Sequence, residues 1–516
     1  MKLFRRITLP AVFLATVALH AQVPVQQPAA GTAKTRAQRY VELISGSEAL
    51  KSSLLGVLAV NGAGDTLACI HPDTRMVPAS NLKLVTTGAA LHALGSGFRF
   101  ETRIGVRGEV SADGALNGDL YIIGGGDPTL ASKDTSALSR GALFARWKKL
   151  LDDAGIKSVN GRVIGDGRYF DGPIEKDTWS YQDIGTAYGT GGDGLSFYEN
   201  SLEVKVSAGT APGMPVNAIV SFPQLPWLRF ANRSRTGGAG TGDELYLYTS
   251  DVWPFAEMRG TFAVDRAAKT EEFSNKYGAY TCAHYFCEYL RSNGITVSGG
   301  PADVRGGRLR TDPASLENGP YAAKVDDLRI LGGTSSPSLK DIVLRTNHVS
   351  DNFYAETLLR MLGRRLHHSA SYDSSYVALG EVLSALGADP ADVRIVDGSG
   401  LSRHNYVSPS YFVRFLGAMM DSPVFEDYVA SLPQPGKGTL ASRLRGEKET
   451  VRARVRMKSG SMNGTLCFSG YIIPERGARD ETIVFSILTN NALAGGSKVG
   501  PLLDRLIVLL ASENGN

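Results

Sequence analysis

The pattern of apolar and polar positions divides the chain into three stretches of different texture. Near the start, L-L-G-V-L-A-V, N-G-A-G and D-T-L-A-C-I-H predict a strand, a turn and a strand, and the mostly apolar run P-A-S-N-L-K-L-V-T-T-G-A-A-L predicts a buried helix. From about residue 98 to 310, short strands are interrupted by glycine. Around residue 340 the pattern becomes helical again. The chain then ends with R-A-R-V-R-M-K-S-G, L-C-F-S-G-Y-I-I-P and T-I-V-F-S-I-L-T-N, which predict three strands, and an amphipathic helix.

The two ends therefore resemble halves of one domain, and the strand-rich middle resembles an insertion. A chain of 516 residues is also longer than one hydrophobic core usually supports. We expect two or three domains.

The N-terminus has the layout of a secretory signal peptide. Lys2, Arg5 and Arg6 precede an apolar stretch from Ile7 to Leu19, and Ala21 offers a small residue for cleavage. The alternative, a retained membrane anchor, is disfavoured because the stretch is shorter than the roughly 20 residues that a spanning helix requires. We expect residues 1–21 to be removed on export, residues 22–36 to be a flexible leader, and the mature protein to carry no transmembrane segment.

Charge and cysteine content exclude several kinds of partner and cofactor. A net charge of +4, dispersed along the chain, does not indicate nucleic-acid binding. The four cysteines, Cys69, Cys282, Cys287 and Cys467, lack the spacing of a disulfide framework. His284 lies between two of them, but a structural zinc would require two more ligands. We expect buried free thiols, no metal and no cofactor.

One residue in the first predicted helix does not fit a purely structural role. Lys83 follows Ser80 by three positions, so the two side chains share a helix face with Thr87. Pro78 suits a helix start, which would place Ser80 among unpaired backbone N–H groups able to stabilise an oxyanion. Burial would lower the pKa of Lys83 and let it accept the serine proton. The alternative is an accidental S-x-x-K with the lysine directed to solvent.

Two further motifs are weak alone. Ser350 and Asn352 form S-x-N, a pattern that recurs elsewhere in the chain and also suits a helix cap. Lys458, Ser459 and Gly460 end a predicted strand, where they would supply a cation, a hydroxyl and room for close backbone approach. A lysine on an edge strand can equally serve only to discourage aggregation.

In this order, S-x-x-K, S-x-N and K-S-G resemble the signature of penicillin-binding proteins and serine β-lactamases, with serine where K-T-G is usual. The separation of 270 positions from Ser80 to Ser350 resembles that of the class C low-molecular-mass penicillin-binding proteins, the D-alanyl-D-alanine carboxypeptidase/endopeptidase family. G-D-L-Y-I-I-G-G-G-D-P-T-L, S-D-N-F-Y-A-E-T-L-L and D-G-S-G-L-S-R-H-N-Y also resemble this family.

The resemblance implies an α/β fold. Its β-lactamase/transpeptidase-like domain, an antiparallel sheet flanked by helices, would comprise residues 37–97 and 311–516. The mostly β insertion would form two small domains, residues 98–180 with 269–310, and residues 181–268.

The resemblance also implies roles for individual residues. Ser80 would be the acyl-enzyme nucleophile, Lys83 its base and Ser350 a proton relay. The substrate-binding residues would be Asn352 for the amide, Lys458, Ser459 and Gly460 for the terminal carboxylate, the Ser80 and Ser461 N–H groups for the oxyanion, and Met462 and Arg403 for the peptide side chain. In W-S-Y-Q-D-I-G-T-A-Y, Trp179, Asp183 and Tyr188 resemble a segment facing the site, although the spacing is shifted by one. Asp183 would bind a substrate amine, and Arg403 could instead form a surface ion pair.

These expectations define an exported, periplasmic enzyme acting on peptidoglycan stem peptides and acylated by β-lactams. Two alternatives stay open: a β-lactamase or esterase on the same scaffold, and a wall-binding protein whose site has decayed. A homodimer is compatible with the sequence, which does not decide it.

Overall fold

The computed structural model describes residues 34–304, 324–475 and 479–513. The helices are α1 (Arg36–Ser45), α2 (Lys83–Leu94), α3 (Arg140–Asp153), α4 (Gly278–Ser292), α5 (Leu339–Val349), α6 (Asn352–His367), α7 (Tyr372–Ala385), α8 (Pro409–Met419), α9 (Phe425–Ala430), α10 (Glu449–Arg454) and α11 (Gly496–Glu513). The first ten strands are β1 (Leu54–Asn61), β2 (Thr66–Ile70), β3 (Glu101–Val110), β4 (Ala115–Ile123), β5 (Ser158–Val159), β6 (Arg162–Asp166), β7 (Ser201–Ser207), β8 (Asn217–Phe222), β9 (Arg229–Asn232) and β10 (Arg235–Gly237). The remaining strands are β11 (Asp243–Thr249), β12 (Phe255–Ala263), β13 (Lys269–Ser274), β14 (Thr296–Val297), β15 (Gly300–Asp303), β16 (Arg329–Ser335), β17 (Val455–Met462), β18 (Thr465–Ile472) and β19 (Ile483–Asn490).

The two ends of the chain meet in one five-stranded antiparallel sheet, ordered β17-β18-β19-β1-β2. Alternation along β1 directs Val57 to the side that holds α1 and α11, and Leu58 to the side that holds α2, α6 and α8. Both faces are therefore covered by helices. The predicted fold class, an antiparallel sheet flanked by helices with a strand-rich insertion, is confirmed.

The middle of the chain forms three further sheets. β14, β5, β4, β3, β16, β6 and β15 form a seven-stranded sheet, β13, β7 and β8 a three-stranded one, and β9 to β12 a four-stranded one. The inserted region contains its own apolar clusters, one around Trp147 and Phe286 and one around Leu247 and Phe262.

Strand pairing crosses two of the expected domain boundaries, which stay predictions. β13 pairs with β7 although residue 269 was expected to return the chain to the other inserted domain. β16 pairs with β3 although residues from 311 onward were assigned to the catalytic domain. Both differences arise because a strand's partner depends on tertiary pairing, which local composition does not encode. The division of the insertion into two domains stays a prediction.

The N-terminal predictions fall mostly outside the described residues. Residues 1–21 and residues 22–33 of the expected leader lie there. Arg36, the last residue of that leader, begins α1, with Thr35 accepting a hydrogen bond from Gln38 N as the cap. Among the described residues, no helix has the length and apolar character required to cross a membrane.

The cysteines are free thiols, as expected, and all but Cys69 are buried. Burial raises the pKa of the Cys287 thiol to about 11. This thiol is therefore protonated at neutral pH and poorly reactive.

A short turn at residues 79–82, here called the Ser80 turn, precedes α2. Ala79 has a φ of 47°, an unfavourable value for a residue with a side chain. Val77, two residues before Ala79, is clamped, because the Asn490 side chain accepts from Val77 N at 2.7 Å and donates to Val77 O at 3.0 Å. The last residue of β19 thus fixes the entry to the turn.

Replacing Asn490 with alanine should therefore destabilise the protein. The Val77 N–H and C=O groups lose their hydrogen bonds while they stay enclosed by the protein. We therefore expect a loss of about 2 kcal/mol in the free energy of unfolding. Chemical denaturation measures it, with Leu493→Ala as the control because Leu493 is fully exposed. Equal stability of the two variants would show that the clamp does not contribute.

Candidate active site

Lys83 lies at the start of α2, buried, with each donor of its ammonium group used. Its Nζ donates to Ser80 Oγ at 2.9 Å, to Asn352 Oδ1 at 2.6 Å and to the Ser399 carbonyl at 2.7 Å. A neutral amine keeps two donors and gains one lone pair. Loss of a proton therefore preserves the bonds to Asn352 and Ser399 and turns the lone pair toward the Ser80 hydroxyl. This geometry suits a base acting on Ser80.

The electrostatics of the pocket make that proton available. Burial lowers the pKa of Lys83 to about 8, although three nearby carboxylates raise it. These belong to Asp397, Glu356 and Asp351. Burial also raises the pKa of Glu356, to about 7, so the counter-charge opposing the loss of the lysine proton is weakened.

A second lysine faces the first. Lys458 on β17 is buried and donates to Ser350 Oγ and to the Ser459 carbonyl, both at 2.8 Å. Burial and the neighbouring Lys83 lower the pKa of Lys458 well below its usual value. Ser350 is held in the left-handed region, with a φ of 61°, at the end of α5. Its hydroxyl thereby meets Lys458 in the cleft where Lys83 meets Ser80.

Gly460 brings the sheet against the nucleophile. A Cβ at this position would lie 2.5 Å from Pro78 O and 3.1 Å from Ser80 N, so only glycine lets β17 lie this close to the Ser80 turn. We expected the glycine to make room for a substrate backbone; the close approach in the structure is to the turn itself.

The outer edge of β17 directs backbone N–H donors away from the sheet. Met457 N–H points away from β18 and donates to Pro433 O at 3.1 Å. In a strand, residues two apart direct their N–H groups to the same side, so the Ser459 and Ser461 N–H groups also point off the free edge. This edge and the start of the Ser80 turn therefore direct backbone N–H groups toward the same cleft.

The loop at residues 397–405 encloses Lys83, a contact that the sequence did not predict. A Cβ at Gly400 would lie 1.9 Å from Ala79 O, so this loop is packed directly on the Ser80 turn. Glu356 accepts hydrogen bonds from Gly398 N and Ser399 N, and Asp397 accepts from Gly400 N. The stretch D-G-S-G-L-S-R had been noted for its resemblance, but nothing in it indicated that a carbonyl would bind the lysine.

Other predicted residues line the cleft less directly. Ser459 Oγ contacts Thr439 Oγ1 at 3.2 Å, and the exposed Arg403 donates to Asn463 O at 3.4 Å. Met462, the residue before Asn463, is partly exposed. Thr87 is directed away from Ser80 and donates to Lys83 O at 2.6 Å.

The insertion contributes one wall of the cleft. Asn352 Nδ2 donates to the Tyr188 carbonyl at 2.9 Å. Burial raises the pKa of Asp183, while the Tyr188 hydroxyl and the Arg403 charge oppose that rise. Asp183, Tyr188 and Arg403 therefore lie together beside the motif residues. Trp179 does not line the cleft: it is buried and donates to Asp397 at 2.9 Å.

An ion-pair bridge also joins the insertion to the S-x-N motif. Arg345 on α5 lies 2.7 Å from Glu199 and 3.5 Å from Asp351, the residue between Ser350 and Asn352. Glu199 lies in a run of three residues with positive φ, at Tyr198, Glu199 and Asn200. A strained turn of the insertion is thus tied to the segment that carries Ser350.

The chain is similar to known proteins over most of its length. The model of the family described as D-Ala-D-Ala carboxypeptidase 3 (S13) matches residues 38–511. A D-alanyl-D-alanine carboxypeptidase of Actinomadura sp. strain R39 is 30% identical over 508 residues, covering 96% of this chain and 88% of the relative. The crystal structure of penicillin-binding protein 4 of Haemophilus influenzae has a TM-score of 0.75 at 23% identity and covers 92% of this chain and 98% of that one.

The fold and the three motifs define an active-site serine hydrolase of the penicillin-binding class. The chain belongs to the S13 family of D-Ala-D-Ala carboxypeptidases. It is a serine-type D-alanyl-D-alanine carboxypeptidase, as the sequence resemblance predicted.

The rate of acylation should rise with pH through the pKa of Lys83. The base must be neutral, and its pKa of about 8 lies below the ordinary 10.5 of lysine. The second-order rate of labelling by a fluorescent penicillin should therefore increase from pH 6 and level off above about pH 9. Lys83→Arg, which keeps the charge but cannot deprotonate, should reduce labelling by at least about 1,000-fold. A flat profile between pH 6 and 9 would exclude Lys83 as the base.

Proposed function

We propose that Ser80 is the nucleophile, Lys83 its base, and the facing β17 the binding edge for a stem peptide ending in D-alanyl-D-alanine. The observation that carries this assignment is the 2.9 Å contact between Lys83 Nζ and Ser80 Oγ at a buried helix start. In the reaction, Lys83 removes the Ser80 proton and Oγ attacks the carbonyl carbon of the penultimate D-alanine. The peptide C–N bond breaks, the terminal D-alanine leaves with a proton, and water hydrolyses the ester.

In this proposal Ser350 supplies the proton for the leaving amine. Lys83 carries the proton taken from Ser80, and Ser350 is hydrogen-bonded to Lys458 on the opposite wall. Ser350 is placed to pass a proton to the amine as the C–N bond breaks. Asn352, held between Lys83 and the Tyr188 carbonyl, orients the substrate amide.

Lys458 and Ser459 bind the terminal carboxylate of the substrate. Burial and the neighbouring Lys83 disfavour the charged form of Lys458. A carboxylate bound beside Lys458 supplies the opposite charge and restores that form. Removal of Lys458 should therefore weaken the binding of substrates with a free terminal carboxylate more than the binding of amidated substrates.

The same chemistry on a cross-linked stem is endopeptidase action, and a β-lactam ring opened by Ser80 leaves a slowly hydrolysed acyl-enzyme. We also propose that residues 1–21 direct export and that the enzyme works in the periplasm, as the charged, apolar and small-residue segments of the N-terminus indicate.

Fluorescent penicillin tests the assignment of Ser80. The wild-type protein should be labelled stoichiometrically, peptide mapping should place the label on Ser80, and Ser80→Ala should abolish both labelling and release of D-alanine from a pentapeptide. Thr87→Ala is a control on the same helix, since the Thr87 hydroxyl donates to Lys83 O and accepts from Asn347 Nδ2 and is directed away from Ser80. Label on another residue would overturn the mechanism, and rapid turnover of penicillin would favour a β-lactamase.

Asp183 and Arg403 should select the side chain of the third stem residue. At the end of that side chain, an amine would pair with Asp183 and a carboxylate with Arg403, in charge-assisted hydrogen bonds. We expect Asp183→Ala to raise the KM for a stem peptide about 10-fold and to leave hydrolysis of a simple thioester unchanged. Equal losses on both substrates would show that Asp183 only supports the fold.

A further inference from the structure

A row of tyrosines extends from the cleft across the inserted region. Tyr181 and Tyr188 lie on the loop that forms the cleft wall, and they are 67% and 46% exposed. Tyr246 and Tyr248 lie two residues apart on β11 and therefore share one face of the strand, about 7 Å apart. We refer to these four residues as the tyrosine strip.

Close packing of the loop on β11 makes the strip continuous. A Cβ at Gly185 would lie 1.5 Å from Leu247 O, so the loop backbone lies directly against the strand. The rings of Tyr181 and Tyr248 are 5.0 Å apart and inclined by 34°. At the other end, Tyr246 is close enough to Tyr188 to affect its pKa. The strip thus begins at the residue whose carbonyl bonds Asn352.

The strip offers both apolar faces and unused polar groups. Among the described residues, the hydroxyls of Tyr181, Tyr246 and Tyr248 have no hydrogen-bond partner. The Arg259 guanidinium lies 4.8 Å from the Tyr248 ring and is paired with Glu257. Val252 and Trp253, in the connection from β11 to β12, are also exposed, at 63% and 54%. So many large exposed apolar side chains in one region mark a binding surface.

We propose that the tyrosine strip binds the glycan strand to which the stem peptide is attached. This inference rests on the proposed function, since only a wall substrate brings a glycan to this site. A sugar ring presents a C–H face that packs on an aromatic ring and equatorial hydroxyls that bond to phenols, and tyrosine supplies both. An extended peptide is instead held by backbone donors and acceptors along a strand edge, and ring faces do not provide these.

Continuity with the cleft fixes the part of the substrate that reaches the strip. A stem whose terminal D-alanines lie between Ser80 and β17 runs past Asn352 and Tyr188, and its sugar-linked end lies farthest from the scissile bond. The insertion would then act as a second contact that favours intact wall over free peptide.

Direct binding tests the inference without catalysis. The probe is a glycan oligomer of the wall from which the stem peptides have been removed, titrated into the full-length protein by calorimetry. We expect Tyr181→Ala and Tyr248→Ala each to weaken binding about 5- to 10-fold, the loss typical of one aromatic contact. Ile219→Ala is the control, because Ile219 is 68% exposed on β8 outside the strip and should bind like the wild type.

Two further measurements separate the outcomes. The variants should keep the wild-type rate of penicillin labelling and the wild-type KM for a sugar-free pentapeptide, which shows that they are folded and that the loss concerns sugar alone. A raised KM for the sugar-free peptide would assign the strip to the stem and overturn the inference, as would unchanged glycan binding in the Tyr181→Ala/Tyr248→Ala double variant. If the proposed function fails, wild-type protein releases no D-alanine from any peptide, an outcome that is independent of the glycan titration.

Discussion

Enclosing the Lys83 amine at the start of a helix is the constraint on which the site depends. Transferring an ammonium ion from water to a protein interior costs several kcal/mol unless hydrogen bonds and counter-charges replace its hydration. Three acceptors replace it here, and they come from three separate parts of the chain: the Ser80 turn, the start of α6 and the loop at residues 397–405. Since the carboxylates that would stabilise the charge do not touch the amine, the pocket keeps the lysine bound but easily deprotonated.

Much of the surrounding structure holds these three acceptors in place. Asn490 fixes the entry to the Ser80 turn, and Gly460 and Gly400 let a strand and a loop approach it closely. The insertion holds Asn352 through the Tyr188 carbonyl, and Glu199 of the insertion pairs with Arg345 on α5. Although the insertion is remote in sequence from the motifs, it is therefore part of the catalytic cleft.

Local pattern was sufficient to predict the parts of the fold that depend on it. The predicted strands at the C-terminus became β17 to β19, and the run around Lys83 became α2, because burial on one or both faces is recorded in residue order. The strand partners of β13 and β16 were not predictable, since either edge of a neighbouring sheet satisfies the same pattern.

The same distinction holds for the site. Lys83 was identified because an amine is unusual in an apolar helix, and Ser80 and Lys458 were identified through the order of the three motifs. The Ser399 and Tyr188 carbonyls were not, because every residue has a carbonyl and only tertiary packing selects these two. Trp179 was assigned to the cleft from its neighbours in sequence, whereas its indole is bonded to Asp397 beneath the surface.

The most direct test of this account is a titration of the Lys83 side chain itself. Nitrogen NMR of protein with labelled lysine, with the Lys83 signal assigned by its absence in Lys83→Arg, measures the pKa without any reaction. The account predicts a midpoint of about 8. A midpoint at the ordinary lysine value of 10.5 would show that the amine stays charged at neutral pH and would contradict its role as the base.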